Sequence, residues 1–331
     1  MKVHLIIIAI LLILTSSCQN NRKNGFSELR ELSDYKLTDF VPTLENPLII
    51  GHNSVYCAAL LYAWDEVRKS LNNSIIVDST KSDLFLLNQS TTFEDALDPN
   101  DYNSSVSTSN NRIKVSVNFK KSLQFVNDFD KNYDDFIFKN QAVKSFVSYG
   151  KNEQIEILYY KNDFDFIIKI HTKAIDSEMI LFKTTRKHQS LIQYVSGIDD
   201  MIRIGCIEKR DEHLKSNYIL NKDDKVIIPE LDFNIKTNYP RLENNTVYSN
   251  YGYFKLDKID QKTALKLNEH GMELEGEYVV SISLLSLDEE CPIKVKNLIF
   301  DKPFLIVLRK TRTINPYFCL WIDNTELMIK K

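Results

Sequence analysis

Hydrophobic residues recur along this chain with two periods, and each period predicts a different kind of element. Apolar and polar residues alternate in Ile113–Phe119, which predicts a strand with one buried face. The same alternation in Glu153–Tyr160 and Phe164–Ile170 predicts a β-hairpin. Phe304–Arg309 and Tyr317–Ile322 are mostly apolar, so we predict two adjacent central strands that are buried on both faces.

Three further segments are predicted as strands: Met179–Phe182, Val226–Ile235 and Lys262–Leu267. Pro229 cannot donate a ladder hydrogen bond, so it places the second of them at an edge or a bulge. Asp98–Arg112 has almost no apolar residues and is predicted as a surface loop.

The helical period is clearest in Ser54–Leu71, where Cys57 begins an apolar stripe along one face. This predicts a helix that lies inside the domain. Gln189–Ile204 is predicted as a second helix, and Leu84–Leu87 as a short strand or a turn of helix.

The first residues have the order of a bacterial lipoprotein signal. Met1 and Lys2 precede an apolar run, small residues follow it, and Cys18 comes next. We therefore expect residues 1–17 to be a signal peptide and Cys18 to carry the lipid, since several acyl chains together anchor a protein stably. The polar residues 18–27 are predicted to be a tether, and Gln19 favours an outer membrane, at its inner face or at the cell surface.

Composition narrows the function of the remaining residues 28–331, which we interpret as one domain. Glycine is scarce, with 8 in 331 residues, so a strand-rich body with few tight glycine turns is expected. The net charge is −3 and no basic patch stands out, which argues against nucleic acid as a partner. Contact with a membrane is expected through the lipid only, and the protein is expected to be a monomer.

Candidate chemistry is sparse. Cys57 is the best nucleophile because it opens the predicted helix, whose dipole would lower a thiol pKa. A thiol hydrolase also needs a histidine opposite the thiol, and His52 precedes the same helix. No His or Cys residues cluster at metal-ligand spacing, and no glycine-rich phosphate loop is present. We therefore expect no enzymatic activity, no metal and no cofactor, with a Cys57 hydrolase as a minor alternative.

The last third of the chain resembles the serpin family. Lys262–Gly271 reads KTALKLNEHG and is similar to the serpin strand that runs into an Asn-Glu-x-Gly hinge. Phe300–Phe304 reads FDKPF and resembles the serpin strand that begins Asn/Asp-x-Pro-Phe. Tyr317–Ile329 is similar to the final strand and its tail.

Weaker similarities fall in serpin order upstream. They are Ile49–Leu61 for the second helix, Ile113–Phe146 for the Phe-Lys-Gly-x-Trp strand and the segment after it, Ile155–Ile170 for a hairpin, and Val226–Ile235 for a further strand. Leu123 stands where that motif has Trp, and Gly51 and His52 stand where the helix motif has Ser and Pro. The stretch between Leu71 and Ile113 is too short for the several helices that serpins hold there, so the resemblance is to a pared-down relative.

The resemblance implies an α+β, serpin-like fold with large mixed or antiparallel sheets, a buried N-terminal helix and few other helices. It further implies a suicide inhibitor of serine or cysteine proteases that acts through the loop 269–301. In such inhibitors a protease cuts the loop, and the hinge side then inserts into the central sheet as a new strand. The alternative is a non-inhibitory scaffold that binds a partner.

The implied hinge residues are Asn268, Glu269, Gly271 and Met272. Counting forward from Gly271 places the scissile bond between Leu285 and Ser286, whereas counting back from Pro303 places it near Cys291. Tyr278–Leu287 can also be interpreted as an ordinary sheet strand, in which case no bait loop exists.

Overall fold

The computed structural model describes residues 25–109, 112–150, 152–274 and 295–331. Within these ranges the helices are α1 (Ala59–Ser70), α2 (Ser82–Gln89) and α3 (Leu191–Glu208), with short 3-10 turns at Leu32–Asp34 and Lys215–Tyr218. The strands are β1 (Arg30–Glu31), β2 (Thr38–Phe40), β3 (Asn53–Cys57), β4 (Tyr102–Ser109), β5 (Arg112–Phe119), β6 (Lys121–Gln124), β7 (Asp130–Lys131), β8 (Phe136–Phe138), β9 (Gln141–Val143), β10 (Ser145–Tyr149), β11 (Ile155–Asn162), β12 (Asp165–Ile170), β13 (Ser177–Lys183), β14 (Lys225–Pro229), β15 (Leu231–Asn238), β16 (Thr246–Ser249), β17 (Gly252–Lys255), β18 (Asp260–Asn268), β19 (Gly271–Leu274), β20 (Asn297–Ile299), β21 (Phe304–Lys310) and β22 (Pro316–Ile322).

A seven-stranded sheet holds the most buried part of the chain. Its order is β11-β12-β13-β21-β22-β3-β2. β22 is buried at every position, and β21 is buried except at its last two residues, as their unbroken apolar runs predict. β21 and β22 are antiparallel neighbours, so the predicted central pair is confirmed. The predicted hairpin is also confirmed as β11 and β12.

A five-stranded sheet has the order β1-β15-β18-β19-β6. β1 runs parallel to β15, and the other neighbours are antiparallel. β19 is therefore antiparallel to both of its neighbours, and β18 and β6 run in the same direction on either side of it. A four-stranded sheet, β20-β14-β10-β7, joins β20 to β14 in parallel.

The fold class predicted from the sequence, α+β with mixed and antiparallel sheets and few helices, is confirmed by these elements. One prediction is corrected within the sheets. The single strand expected over Val226–Ile235 is two strands, because Pro229 ends β14 and the chain passes through Glu230 into β15. β14 and β15 belong to different sheets, so Pro229 marks a crossing from one layer to another.

The helix predicted to start at Ser54 starts at Ala59 instead. Asn53–Cys57 forms β3, which pairs with β22 on one edge and with β2 on the other. At its beginning, the apolar stripe is compatible with the period of a helix and with the period of a strand. Pairing with the buried strand β22 makes this part of the chain a strand. From Ala59 the prediction holds, and α1 buries Leu61, Tyr62 and Trp64.

One further prediction is wrong. Asp98–Arg112 is predicted as a loop, but Tyr102–Ser109 forms β4 and pairs along its whole length with β5. Tyr102 anchors this hairpin, because its ring lies 4.6 Å from that of Tyr62 on α1. The helical alternative for Leu84–Leu87 is confirmed by α2, and α3 confirms the second predicted helix. Across the described ranges, no helix is long and apolar enough to cross a membrane.

A buried ion pair fixes the start of β20. The Nζ of Lys296 lies 3.1 Å from Oδ2 of Asp224, and the Lys296 backbone N–H donates to the other carboxylate oxygen at 2.6 Å. Both side chains are almost fully excluded from water, at 2% and 0% exposure. Lys296 Nζ also donates to the carbonyl of Ile219 at 2.9 Å. The charge pair and its hydrogen bonds together hold this point of the chain against the turn that precedes β14.

Lys296→Met should lower the free energy of unfolding by roughly 3–5 kcal/mol, because it leaves the Asp224 carboxylate buried without its counter-charge. Urea denaturation measures the change. The double variant Lys296→Met/Asp224→Leu should recover most of the loss, since it removes both charges. Asp200→Asn, in the exposed pair with Arg203, is the control and should cost under about 0.5 kcal/mol. A single-variant loss no larger than that control would contradict the role of the pair.

Candidate functional site

The implied hinge lies where β18 turns back into β19. Asn268 pairs with Gly271, and the chain reverses over Glu269 and His270. The side-chain oxygen of Asn268 accepts a hydrogen bond from the His270 backbone N–H at 3.0 Å, which closes the turn. We call Asn268–Gly271 the hinge turn.

Gly271 is required at this position for two reasons. Its φ of +139° lies in the region that side chains disfavour. A Cβ built there would lie 2.5 Å from the carbonyl oxygen of Leu123 and 2.7 Å from Cα of Gln124. The glycine therefore lets β19 approach β6 closely enough to pair with it.

β19 alternates as a strand between two layers. Met272 and Leu274 are buried, while Glu273 is only partly covered. Met272 sits opposite Leu267 of β18 and Leu123 of β6, so both edges of the strand are apolar at that level. The hinge side of the implied loop is thus already part of the five-stranded sheet for the length of β19.

Charges surround the hinge turn. Oε1 of Glu269 lies 3.2 Å from Nζ of Lys131 and 3.2 Å from Nε2 of His270. The other ring nitrogen of His270, Nδ1, lies 2.7 Å from a carboxylate oxygen of Asp128. Burial, and after it the nearby charge of Glu269, raises the pKa of Glu230 above its ordinary value. The Glu269 carboxylate thus contacts both the Lys131 ammonium and the His270 ring, and the ring also contacts the Asp128 carboxylate.

A cavity of about 1020 Å³ opens where β19 ends. One wall is the first half of β18, at Lys262, Thr263 and Ala264, and the other is the end of β5 and the start of β6, from Val117 to Ser122. Leu274 also lines the cavity, so the last residue of β19 points along it. We call it the inter-strand cavity.

The edges of this cavity have no strand between them in the part of the chain that the structure describes. β19 pairs with β18 only from Leu265 to Asn268, and the earlier residues of β18 pair only with β15. β5 pairs with β4 in a separate two-stranded sheet, and Asn103 of β4 also lines the cavity. Within the described residues, the edge of β18 opposite β15 therefore has no strand partner from Lys262 to Ala264, where it lines the cavity.

Lysines are prominent at the inter-strand cavity. Lys121 is largely buried and bridges Asp101 at 2.7 Å and Asp176 at 3.2 Å. Lys120 and Lys262 are exposed and line opposite walls. Lys121 is thus neutralised by two aspartates that also line the cavity, whereas Lys120 and Lys262 place exposed positive charges on its opposite walls.

The alternative nucleophile, Cys57, is placed unfavourably for catalysis. It ends β3 instead of opening a helix, and it is 5% exposed. Burial raises the pKa of its thiol to about 12, so the thiolate that would attack a substrate is scarce at neutral pH. Among the described residues, Cys57, Cys206 and Cys319 are free thiols, and no group of three or more His, Cys, Asp or Glu side chains can hold a metal.

Several predicted site residues lie outside the described ranges: Cys18, Leu285, Ser286, Cys291 and the segment Tyr278–Leu287. The hinge residues Asn268, Glu269, Gly271 and Met272 are brought together at one end of the five-stranded sheet. Sequence reasoning missed the inter-strand cavity and its lysines. Lys120 directly follows a predicted strand and Lys262 begins another, but the strand order that places them on opposite walls is set by contacts far apart in the chain.

No family model and no curated protein matches the chain. Among solved structures, the fold resembles Serpin48, a highly specific serpin of the insect Tenebrio molitor, with 13% identity and a TM-score of 0.34 over 63% of this chain and 54% of the other. It also resembles thyroxine-binding globulin in complex with thyroxine, with 15% identity and a TM-score of 0.35 over 64% of this chain and 56% of the other. The chain spans just over half the length of the structures it matches.

Gly271→Ala should destabilise the protein by about 2 kcal/mol or more, because an alanine there has a disfavoured φ and its Cβ clashes with the backbone of β6. Gly252→Ala is the matched control, since Gly252 also has a positive φ, +117°, but nothing lies within 4 Å of its Cβ position. Thermal and urea denaturation should show the first variant clearly less stable than the second. Equal losses would show that the approach of β19 to β6 contributes nothing.

Proposed function

We propose that this protein is a serpin-like binding protein that inhibits a serine or cysteine protease by inserting the segment after Leu274 into the inter-strand cavity. The observation that supports the proposal is the position of β19. It is antiparallel to both of its neighbours, and the cavity begins at its end, so a longer β19 would enter the cavity as a strand. The serpin-like hinge sequence lies at the start of that strand.

The register of β19 offers charge complementarity to the residues that follow it. Leu274 pairs with Leu265 on one side and with Lys121 on the other. Continuing this register sets Glu275 opposite Lys120, and Glu277 opposite Lys262. The two exposed lysines on the cavity walls would thus each meet a glutamate of the inserting segment.

The alternation of the inserting segment also suits the cavity. Met272 and Leu274 face inward in β19, so continuing the strand turns Gly276 and Tyr278 inward and the glutamates outward. Gly276 needs little space, and Tyr278 would occupy part of the open volume. Insertion would then pair the unsatisfied edges of β18 and β5, which supplies the free energy that holds the inserted state.

A second candidate function is a passive scaffold that binds a partner without insertion. Met272 and Leu274 favour it, because they are bulky and already buried, whereas a strand that inserts rapidly needs small residues at its leading end. In that case the five-stranded sheet is already in its final state. Cleavage after Leu274 would then leave the sheet unchanged.

We also propose that Cys18 is lipidated and that the protein is anchored at an outer membrane. The order of residues 1–18 supports this. The Ser27 backbone N–H donates to Asp232 on β15 at 3.0 Å, and Asn234 donates to the Ser27 carbonyl at 3.0 Å. A tether of residues 18–27 would therefore join the domain at the five-stranded sheet.

Incubation with chymotrypsin-like and elastase-like proteases should give an SDS-stable complex, because insertion traps the acyl-enzyme. Chain that is cleaved without being trapped should melt higher by roughly 10 °C or more, since such a shift corresponds to several kcal/mol in a domain of this size. If cleavage raises the melting temperature but gives no SDS-stable complex, the segment inserts and the protein does not trap the protease. If cleavage produces neither effect, the protein is the passive scaffold.

Charge reversal tests the register. Glu275→Lys/Glu277→Lys should reduce the thermal gain after cleavage by a few °C, because two weak attractions become repulsions of about 0.2–1 kcal/mol each. Adding Lys120→Glu/Lys262→Glu should restore the gain. Reversal of Glu153 and Glu212, which are exposed and do not line the cavity, is the control and should leave it unchanged. Failure of the fourfold variant to recover would contradict the proposed register.

Cys18→Ser should abolish incorporation of labelled palmitate and release the protein from the membrane fraction, because the thiol is the acceptor of the diacylglycerol. Cys206→Ser, an exposed thiol on α3, is the matched control and should leave labelling intact. Labelling that survives Cys18→Ser would contradict the anchor.

A further inference from the structure

A second, smaller cavity lies between the edge of the seven-stranded sheet and the end of β15. Its volume is about 220 Å³, below the range typical of drug-sized ligands. Most of its walls are apolar: Phe40, Val41, Pro42, Pro47, Tyr239 and Leu242. It is separate from the hinge turn and the inter-strand cavity, with which it shares no lining residue.

One buried hydroxyl in this cavity has no partner. Ser54 lines the cavity and is 1% exposed, and its Oγ makes no hydrogen bond in the described structure. A buried hydroxyl without a partner costs roughly 1–3 kcal/mol, so such groups are usually satisfied. Ser54 lies on β3, whose position is fixed by β22 and β2 on either side. The hydroxyl is therefore held at the wall of the cavity by the sheet itself.

A carboxylate in the same cavity is only weakly compensated. Asp83, in the first turn of α2, has a side chain that is 14% exposed. It accepts a hydrogen bond from Asn46 at 3.2 Å, and its closest cation is Arg241 at 3.8 Å. Arg241 is 83% exposed, so water screens much of its charge.

The other carboxylate that lines the cavity is already engaged. Oδ2 of Asp39 lies 2.6 Å from Nδ1 of His52. Asp83 is also the more buried of the two, with a side chain that is 14% exposed against 35% for Asp39, so water screens an ammonium beside Asp83 less. An apolar chamber with one weakly paired carboxylate and one free hydroxyl matches an organic ammonium with a compact apolar body.

We propose that this cavity binds a small primary amine whose ammonium pairs with Asp83, whose apolar body fills the chamber, and whose remaining polar contact is the Ser54 hydroxyl. Arg241 opposes the ligand, because it competes for the same carboxylate. The site depends on β2, β3, α2 and the turn after β15, and it makes no use of the hinge turn. Binding there is independent of protease inhibition.

The test uses phenethylamine as the probe, with 2-phenylethanol and phenylacetate as neutral and anionic probes of similar shape. Calorimetry or ligand-observed NMR on the whole protein should show binding of the amine and at least a roughly tenfold weaker response to the other two, since hydrogen bonds to charged groups are the strong ones. Equal binding of all three probes, or no binding of the amine, would overturn the proposal and leave a cavity that holds water only.

Three variants make the test specific. Asp83→Asn should weaken amine binding by roughly tenfold or more, and Ser54→Ala by about fivefold, without lowering the stability of the fold, because the lost hydroxyl was unpaired. Arg241→Ala should strengthen binding about twofold to fivefold, because it removes the competing cation. Amine affinity that is unchanged in Asp83→Asn, or reduced in Arg241→Ala, would contradict the assignment of Asp83 as the ammonium partner.

Discussion

The five-stranded sheet is organised around one strand, β19, that is held on both edges between β18 and β6. It pairs there because Gly271 lets the backbone pass within a distance of Leu123 that no side chain would permit. Met272 and Leu274 then bury themselves in the layer below. Beyond the end of β19, no strand of the described residues lies between β18 and β5, and the inter-strand cavity occupies that space.

Both ends of the segment after Leu274 are fixed, but in different sheets. The hinge turn and β19 belong to the five-stranded sheet, whereas Lys296 and β20 belong to the four-stranded one and are fixed through Asp224. A break in the chain between these anchors would leave each new end bound to its own sheet. The hinge side could then extend β19 while β20, β21 and β22 stay in place, which is the mechanical requirement for an inserting trap.

The hydrophobic pattern predicted correctly those strands whose own apolar period matches the burial that their neighbours impose. The apolar runs of β21 and β22 and the alternation of β11 and β12 required no knowledge of distant partners. The predictions failed where pairing with a distant segment of the chain determines the type of element. Ser54 and Val55 carry a helical stripe but pair with β22 and β2, and the polar residues of β4 find a partner only in the reversed chain of β5. The residues of the hinge turn were singled out from their order in the chain, and their role as a hinge stays a prediction, whereas the cavity beside them required the strand order of the sheet.

We propose that the space between β18 and β5 accepts a further strand of this chain. The most direct test is hydrogen exchange of the backbone amides of Lys262–Ala264 and Val117–Lys120, followed by mass spectrometry before and after proteolytic cleavage. We expect fast exchange at the amides that face the cavity in the intact protein and strong protection in the cleaved one, because each edge gains a hydrogen-bonded neighbour. Exchange that is equally fast in both forms would contradict it.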